Sequence, residues 1–225
     1  MPLTAERFFV VNFSGRVYAL TCAHIVRDFE SGKLFITEEK MGRKGGKPAT
    51  IKGLCYPLSP RDAAFGTDLV DMCVIEFTEN IYANFFKGSA YVIDKNTVAT
   101  SAIGHRLRVA GALKDKSSII PPDINVGYCN LEFGDMGVTT SDPTLREATA
   151  VSLNPQFDNV IGISGSPVFD ETANALCGMV ARGGMVKNKC NIFYIDIYDI
   201  VHFLTRVHKR ESTTYYTKNI TLPVA

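Results

Sequence analysis

The chain has 225 residues, with 24 Lys and Arg against 23 Asp and Glu, a formal net charge of +1, and 46% hydrophobic residues. So even a charge balance gives no field to draw nucleic acid or an anionic membrane, and the apolar share suffices for one domain or two closely packed ones. Six cysteines (Cys22, Cys55, Cys73, Cys129, Cys177 and Cys190) stand singly, without a CxxC pair. That spacing suits buried thiols of a cytoplasmic protein better than a disulfide framework or a metal site. The first residues, Met1 to Arg7, lack a basic-then-apolar leader pattern, and no run of 18 apolar residues occurs.

Patterning along the chain is mostly strand-like. Phe8 to Phe13 and Val17 to Thr21 are β-branched and aromatic runs joined by Ser14-Gly15-Arg16, a hairpin signal. Further strands are expected at Lys33 to Thr37, Ala49 to Tyr56, Met72 to Phe77, Leu107 to Ala110 and Val126 to Leu131. Others follow at Thr149 to Leu153, Ser166 to Phe169, Leu176 to Ala181 and Asn191 to Ile195. Arg43-Lys44-Gly45-Gly46-Lys47, the densest basic cluster, has the glycines of a solvated hairpin tip. Many short strands with glycine-bearing turns predict an all-β barrel or sandwich.

One helix is predicted near the end. Apolar residues at 197, 200, 201, 204 and 207 recur at helical spacing, Asp196 is placed to cap, and His208-Lys209-Arg210 sit at the negative end of the dipole. His202 and His208 are read as helix-surface residues. This divides the chain into a first β half (1–95), a connection (96–122), a second β half (123–195), the helix (196–210) and a loose tail (211–225). A half of this size can bury a small barrel core.

Three segments carry chemistry-bearing residues, and each alone has a plain reading. His24, in Leu20-Thr21-Cys22-Ala23-His24-Ile25-Val26, could be a core imidazole. Asp71 heads the apolar run Met72-Cys73-Val74-Ile75, where a carboxylate is costly to bury unless it is hydrogen-bonded; it could also be a turn aspartate, and Asp68 competes with it. Gly162-Ile163-Ser164-Gly165-Ser166-Pro167 is a poor helix and a poor strand, hence a tight turn, and it exposes a serine.

Taken together, Thr21-Cys22-Ala23-His24-Ile25, Asp71-Met72-Cys73-Val74-Ile75 and Gly162-Ile163-Ser164-Gly165-Ser166-Pro167 resemble the three signature segments of the trypsin-like (chymotrypsin-fold) serine peptidases. They stand in that family's order, which differs from the order in subtilisins and α/β-hydrolases. Spacings of 47 and 93 residues suit a base and carboxylate on one barrel and a nucleophile on the next. Gly178 to Gly184 is similar to the family's substrate-pairing strand, and Asn191 to Ile195 with the helix after it to the family's last strand and terminal helix. Because the cysteines do not pair as in secreted members, compact bacterial and intracellular members are nearest in character.

The resemblance implies an all-β fold of two packed antiparallel six-stranded-type β-barrels with a C-terminal α-helix. It implies a serine endopeptidase acting on protein or peptide through an acyl-enzyme, with His24, Asp71 and Ser164 as catalytic residues and no metal or organic cofactor. Serine is a weak nucleophile, so His24 would take its proton while Asp71 fixes the imidazole. The backbone N–H groups of Gly162 and Ser164 would form the oxyanion hole, and Ala181, Arg182 and Gly183 would line the substrate strand. Asp158, six residues before Ser164, matches the acid of an Arg- or Lys-selective pocket, or is a loop aspartate in a shifted alignment. A catalytically silent peptide-binding module with the same fold is the alternative, and Cys22, two residues before His24, is a conceivable redox-sensitive thiol.

Two departures stand out. Ile163 replaces the aspartate that, in secreted relatives, pairs with a newly cut N-terminal amine, which implies an enzyme not activated that way; a regulatory partner or a mobile loop remains open. The first strand begins so near the N-terminus that either the first barrel is abbreviated or a preceding domain lies outside this sequence.

Overall fold

The computed structural model describes residues 8–26, 51–58, 71–78, 90–112, 118–120, 123–125, 128–139, 142, 144–151, 162–186, 189–211 and 215–219. The strands expected at Lys33 to Thr37, the basic cluster at Arg43 to Lys47, Asp68 and Asp158 lie outside them.

Strands β1 (Phe9–Phe13) and β2 (Arg16–Thr21) pair antiparallel with Phe13 opposite Arg16, leaving Ser14 and Gly15 as a two-residue turn. Both have positive φ, 52° and 77°, which matches the twist of the flanking strands. The one-turn helix α1 (Ala23–Val26) follows β2 directly. Strands β3 (Ile51–Pro57), β4 (Cys73–Phe77) and β5 (Tyr91–Ile93) complete the first unit. β14 (Tyr215–Asn219) joins them from the far end of the chain, giving a six-stranded sheet in the order β14-β3-β4-β2-β1-β5. Every residue of β4 is buried, as a central strand covered on both faces requires.

The second unit is a closed six-stranded barrel, β10-β13-β12-β11-β6-β9. Its strands are β6 (Arg106–Ala112), β9 (Tyr128–Val138), β10 (Leu145–Ala150), β11 (Pro167–Asp170), β12 (Ala175–Val186) and β13 (Lys189–Asp196). A short pair, β7 (Ser118–Ile120) with β8 (Asp123–Asn125), sits between β6 and β9 in the chain. The closed sheet encloses a core of Leu107, Val109, Phe133, Ile163, Val168, Cys177, Val180 and Ile192.

Three boundaries differ from the sequence reading. The expected connection, 96–122, contains β6, which pairs with β9 and β11, so the second unit begins at Arg106 and not at residue 123. The strand expected from Thr149 lies earlier, at Leu145–Ala150, because its register with β13 pairs Leu145 with Ile195. The tail is not loose over Tyr215–Asn219, where its backbone pairs with Gly53 to Pro57 of β3.

Helix α2 (Ile197–Lys209) begins at Asp196, whose side chain accepts from the Tyr198 N–H at 2.9 Å, and buries Ile197, Ile200, Phe203, Leu204 and Val207. That face packs into one core cluster with Val11, Tyr18 and Leu20 of the first unit and Leu176, Met179 and Ile195 of the second. The helix therefore binds both units. His202 is exposed as expected, but His208 is not a free surface residue: its Nδ1 lies 3.1 Å from the Tyr18 hydroxyl and its ring meets Phe13 edge-on. Beside it, Arg210 Nη1 donates to the buried Glu76 carboxylate of β4 at 2.7 Å. No helix among the described residues is long and apolar enough to cross a membrane.

A second buried charge network crosses the barrel. Arg146 Nη2 donates to both Asp135 carboxylate oxygens at 3.1 and 2.9 Å and to the Ser101 carbonyl at 2.7 Å. Its Nε donates to the Tyr194 hydroxyl at 2.9 Å, which in turn donates to Asp135 at 2.6 Å. Burial opposes ionisation of Asp135, but hydrogen bonds from Tyr194, Arg146, Ser101 and Gly137 outweigh it and hold the carboxyl below its ordinary range. Asp170 behaves alike: burial is outweighed by the Ala173 N–H and by His105, whose Nδ1 lies 2.7 Å away. A depressed carboxylate stabilises the fold above its unfolded pKa and ceases to as pH falls through the lower folded value. Urea unfolding should thus hold a steady midpoint from about pH 7 to 5 and lose it below about pH 4. At pH 7, Arg146→Leu should cost about 3–5 kcal/mol, because it strands the Asp135 charge.

Candidate functional site

His24 stands in the short helix α1, three residues past the end of β2, and Asp71 lies two residues before β4. β2 and β4 pair antiparallel, with Thr21 opposite Cys73, so the end of one strand meets the start of the other. Asp71 holds His24 twice. Oδ1 accepts the His24 backbone N–H at 2.8 Å, and Oδ2 meets the ring at Nδ1. One carboxylate thereby fixes both the backbone and the imidazole, whose side chain is 52% exposed.

Ser164 is half-buried in a turn in which the Ser166 N–H donates to the Ile163 carbonyl at 3.0 Å. Gly165, the third residue of that turn, has φ 82°, the position where a type II turn needs a residue free of a Cβ. Gly162 has φ 94°, outside the range that a side chain tolerates, so the peptide entering the turn takes an orientation that other residues disfavour. Ile163 is fully buried and packs into the closed-barrel core, which pins the residue before Ser164 without any charge.

Val180 of β12 grips this turn from behind. Its N–H donates to the Ser166 carbonyl at 2.9 Å and its carbonyl accepts the Gly165 N–H at 2.8 Å. The same carbonyl accepts the Cys22 thiol at 3.1 Å, and the Ala181 carbonyl lies 3.7 Å from that sulfur. Cys22 is fully buried, and its sulfur, the His24 ring and the Asp71 carboxylate place donor atoms within 4.8 Å of one another. Nitrogen, sulfur and oxygen together could ligate a metal, but each group already has a hydrogen-bond partner. The set is explained by that bonding. Its role in joining the turns of His24 and Ser164 could not be read from the sequence, because nothing local marks Val180 as the shared acceptor.

Ala181, Arg182 and Gly183 lie on β12. A bulge between Val180 and Arg182 takes Ala181 out of register with β13, and from Arg182 onward β12 pairs with β13 alone among the described residues. Ala181 is buried, Gly183 is exposed, and the Arg182 guanidinium lies 5.0 Å over the Phe193 ring. The described cysteines, Cys22, Cys55, Cys73, Cys177 and Cys190, are all unpaired in disulfide terms and buried.

Among solved structures the chain is similar to the scabies mite inactivated protease paralogue S-I1, at 14% identity and a TM-score of 0.58, over 90% of this chain and 93% of that one. It is also similar to a Glu endopeptidase, at 16% identity and 0.54, over 92% and 95%. A third likeness is to catalytically active tobacco etch virus protease complexed with product, at 10% identity and 0.51, over 99% and 88%. No family model matches the sequence, and the search of curated proteins returns no match. The chain has the chymotrypsin-type fold. That fold houses both an inactivated paralogue and an active protease, so activity must be argued from the side chains at the site.

One packing constraint bears directly on the turn. A Cβ built on Gly111 of β6 would lie 2.5 Å from Ser166 Oγ and 3.6 Å from Ile163. Ser166 Oγ is buried without a hydrogen-bond partner, so it occupies the space that Gly111 leaves. Gly111→Ala should therefore cost about 1–3 kcal/mol in urea unfolding, and adding Ser166→Gly should recover most of it, a coupling read from a double-mutant cycle.

Proposed function

We propose that the chain is a serine endopeptidase working through an acyl-enzyme, with Ser164 as nucleophile, His24 as general base and then acid, and Asp71 as the group that orients the imidazole. The observation that carries this reading is the two-point hold of Asp71 on His24. With Nδ1 turned to a carboxylate, the other ring nitrogen is the one that takes a proton, and the carboxylate stabilises the imidazolium that results. The positive φ of Gly162 supports a turn whose N–H groups at Gly162 and Ser164 face a developing oxyanion, each donor being worth about 2.7–4 kcal/mol.

The substrate is a peptide in extended form, added as a strand along β12 at Ala181, Arg182 and Gly183, past its last pairing with β11. Arg182, steadied over Phe193, would meet an acidic side chain of that peptide. Asp158 is proposed to select Arg or Lys before the scissile bond; loss of arginyl and lysyl preference in Asp158→Ala supports this, and unchanged selectivity removes it. Ile163, anchored by burial, supports an enzyme that needs no N-terminal trimming to set its nucleophile turn.

The competing reading, a silent peptide-binding module, is favoured by the likeness to an inactivated paralogue. Retention of the histidine, aspartate and serine together speaks against it. A fluorophosphonate should label the wild-type chain and not Ser164→Ala, and Asp71→Asn should lower kcat about 10⁴-fold with the fold intact by circular dichroism. A folded wild-type chain that takes no label leaves the binding module as the answer.

A further inference from the structure

The catalytic reading uses three side chains and leaves Cys22 without a task, although it is fully buried and its sulfur lies within 4.8 Å of donor atoms of His24 and Asp71. Its neighbours make its position unusual. The Cys22 backbone carbonyl accepts the Ile25 N–H at 3.2 Å, which closes the turn carrying His24. Its thiol reaches across to the other β unit and donates to the Val180 carbonyl at 3.1 Å. That oxygen also holds the Gly165 N–H at 2.8 Å, one residue past Ser164. The turn of the base and the turn of the nucleophile thus share one acceptor, reached from the first by a side chain and from the second by the backbone.

Side-chain chemistry suits this task. Burial, and then the nearby Asp71 charge, push the Cys22 thiol well above its ordinary pKa, so at neutral pH it keeps its proton and donates. A thiol in that state is a poor nucleophile and resists oxidation, which argues against the redox role open to Cys22 from sequence. Alanine would leave the Val180 carbonyl one donor short and open a gap between the units. Serine would keep a donor but on a shorter C–O bond, so it would bridge the same span less completely.

We propose that Cys22 is a positioning residue, registering His24 against Ser164 by hanging its thiol on the carbonyl that also holds the nucleophile turn. This rests on the serine-peptidase reading, and it extends that reading to a residue outside the three. Catalysis is sensitive to such registration, since a displacement of about 1 Å between reacting groups can cost about 100-fold in rate.

The test compares wild type, Cys22→Ala and Cys22→Ser, all in the full chain, by the rate of fluorophosphonate labelling at Ser164 and by kcat and KM on a peptide reporter. Thermal melting and the downfield ring-proton resonance of His24 are recorded for each. Cys22→Ala should lower kcat and the labelling rate together by about 10- to 100-fold with KM unchanged. Its His24 proton resonance should persist, because Asp71 still holds the ring. Cys22→Ser should recover to within about threefold of wild type, as a retained donor requires. Labelling of Cys22→Ala at the wild-type rate overturns the proposal alone, and so does equal loss in both variants, which would make the residue a space filler. A folded wild type that takes no label overturns it together with the peptidase reading. Should Cys22→Ala fail to fold, Cys22→Ser against wild type still decides: near-wild-type rates sustain the proposal, and a loss matching a lowered melting temperature rejects it.

Discussion

Val180 offers one backbone oxygen to donors from two β units: the Cys22 thiol beside His24 and the Gly165 N–H beside Ser164. The proposed chemistry needs groups remote in sequence to hold a fixed separation, and loops cannot supply that. A central strand can. β12 pairs with β11 up to Met179 and with β13 from Gly178 onward, and its residues from Ala175 to Ala181 are all buried. Its backbone at Val180 is a buried reference from which both turns are hung. The Asp71 hold on His24 adds a second tie to that backbone and orients the ring.

Two further constraints keep the β units in register. Helix α2 contributes the larger share, because its apolar face merges residues of both units into one core cluster. Burying five such side chains is worth roughly 1.5–3 kcal/mol each before the entropy of ordering the helix is charged. The Arg210 contact to Glu76 and the His208 contact to Tyr18 act at the helix's far end. Their energies are modest, since Arg210 is partly exposed, but they fix direction where apolar packing does not. The Arg146–Asp135–Tyr194 network does the corresponding work inside the barrel, where its members satisfy one another and no buried charge is left alone.

The sequence yielded the strands and the helix with a clear period, because alternation and helical spacing are local. The Ser14-Gly15 turn, the capping aspartate at 196 and the apolar helix face were all readable for that reason. Boundaries failed where pairing partners decide them. The strand expected at Leu107 to Ala110 exists as Arg106–Ala112, but its pairing with β9 and β11 puts it in the second barrel where the domain reading had a connection, and Tyr215–Asn219 has a polar pattern that only the edge of β3 makes into a strand. At the candidate site, the His24–Asp71 pair was legible because chemistry restricts residue type and order, and Ser164 was legible as the serine of a glycine-bearing turn. Val180 was not, since a backbone carbonyl has no sequence signature, and Gly111 was not, since its role is to leave room for Ser166.

Ile163 ties these threads to the rigidity of the nucleophile turn. The turn carries two positive-φ glycines, and glycine gains freedom in the unfolded chain, so an ordered turn of this composition needs an anchor from outside. An ion pair at the residue before Ser164 would anchor it at the cost of desolvating two charges, and would work only while its partner was present and charged. A buried aliphatic side chain anchors it by apolar contact alone, independent of pH and of any newly made terminus. Ile163 sits in the same core as Val180, whose N–H and carbonyl hold the turn's other end. Side chain before the serine and backbone after it are therefore fastened to one wall of the barrel, and the turn's geometry is set by the fold that carries it.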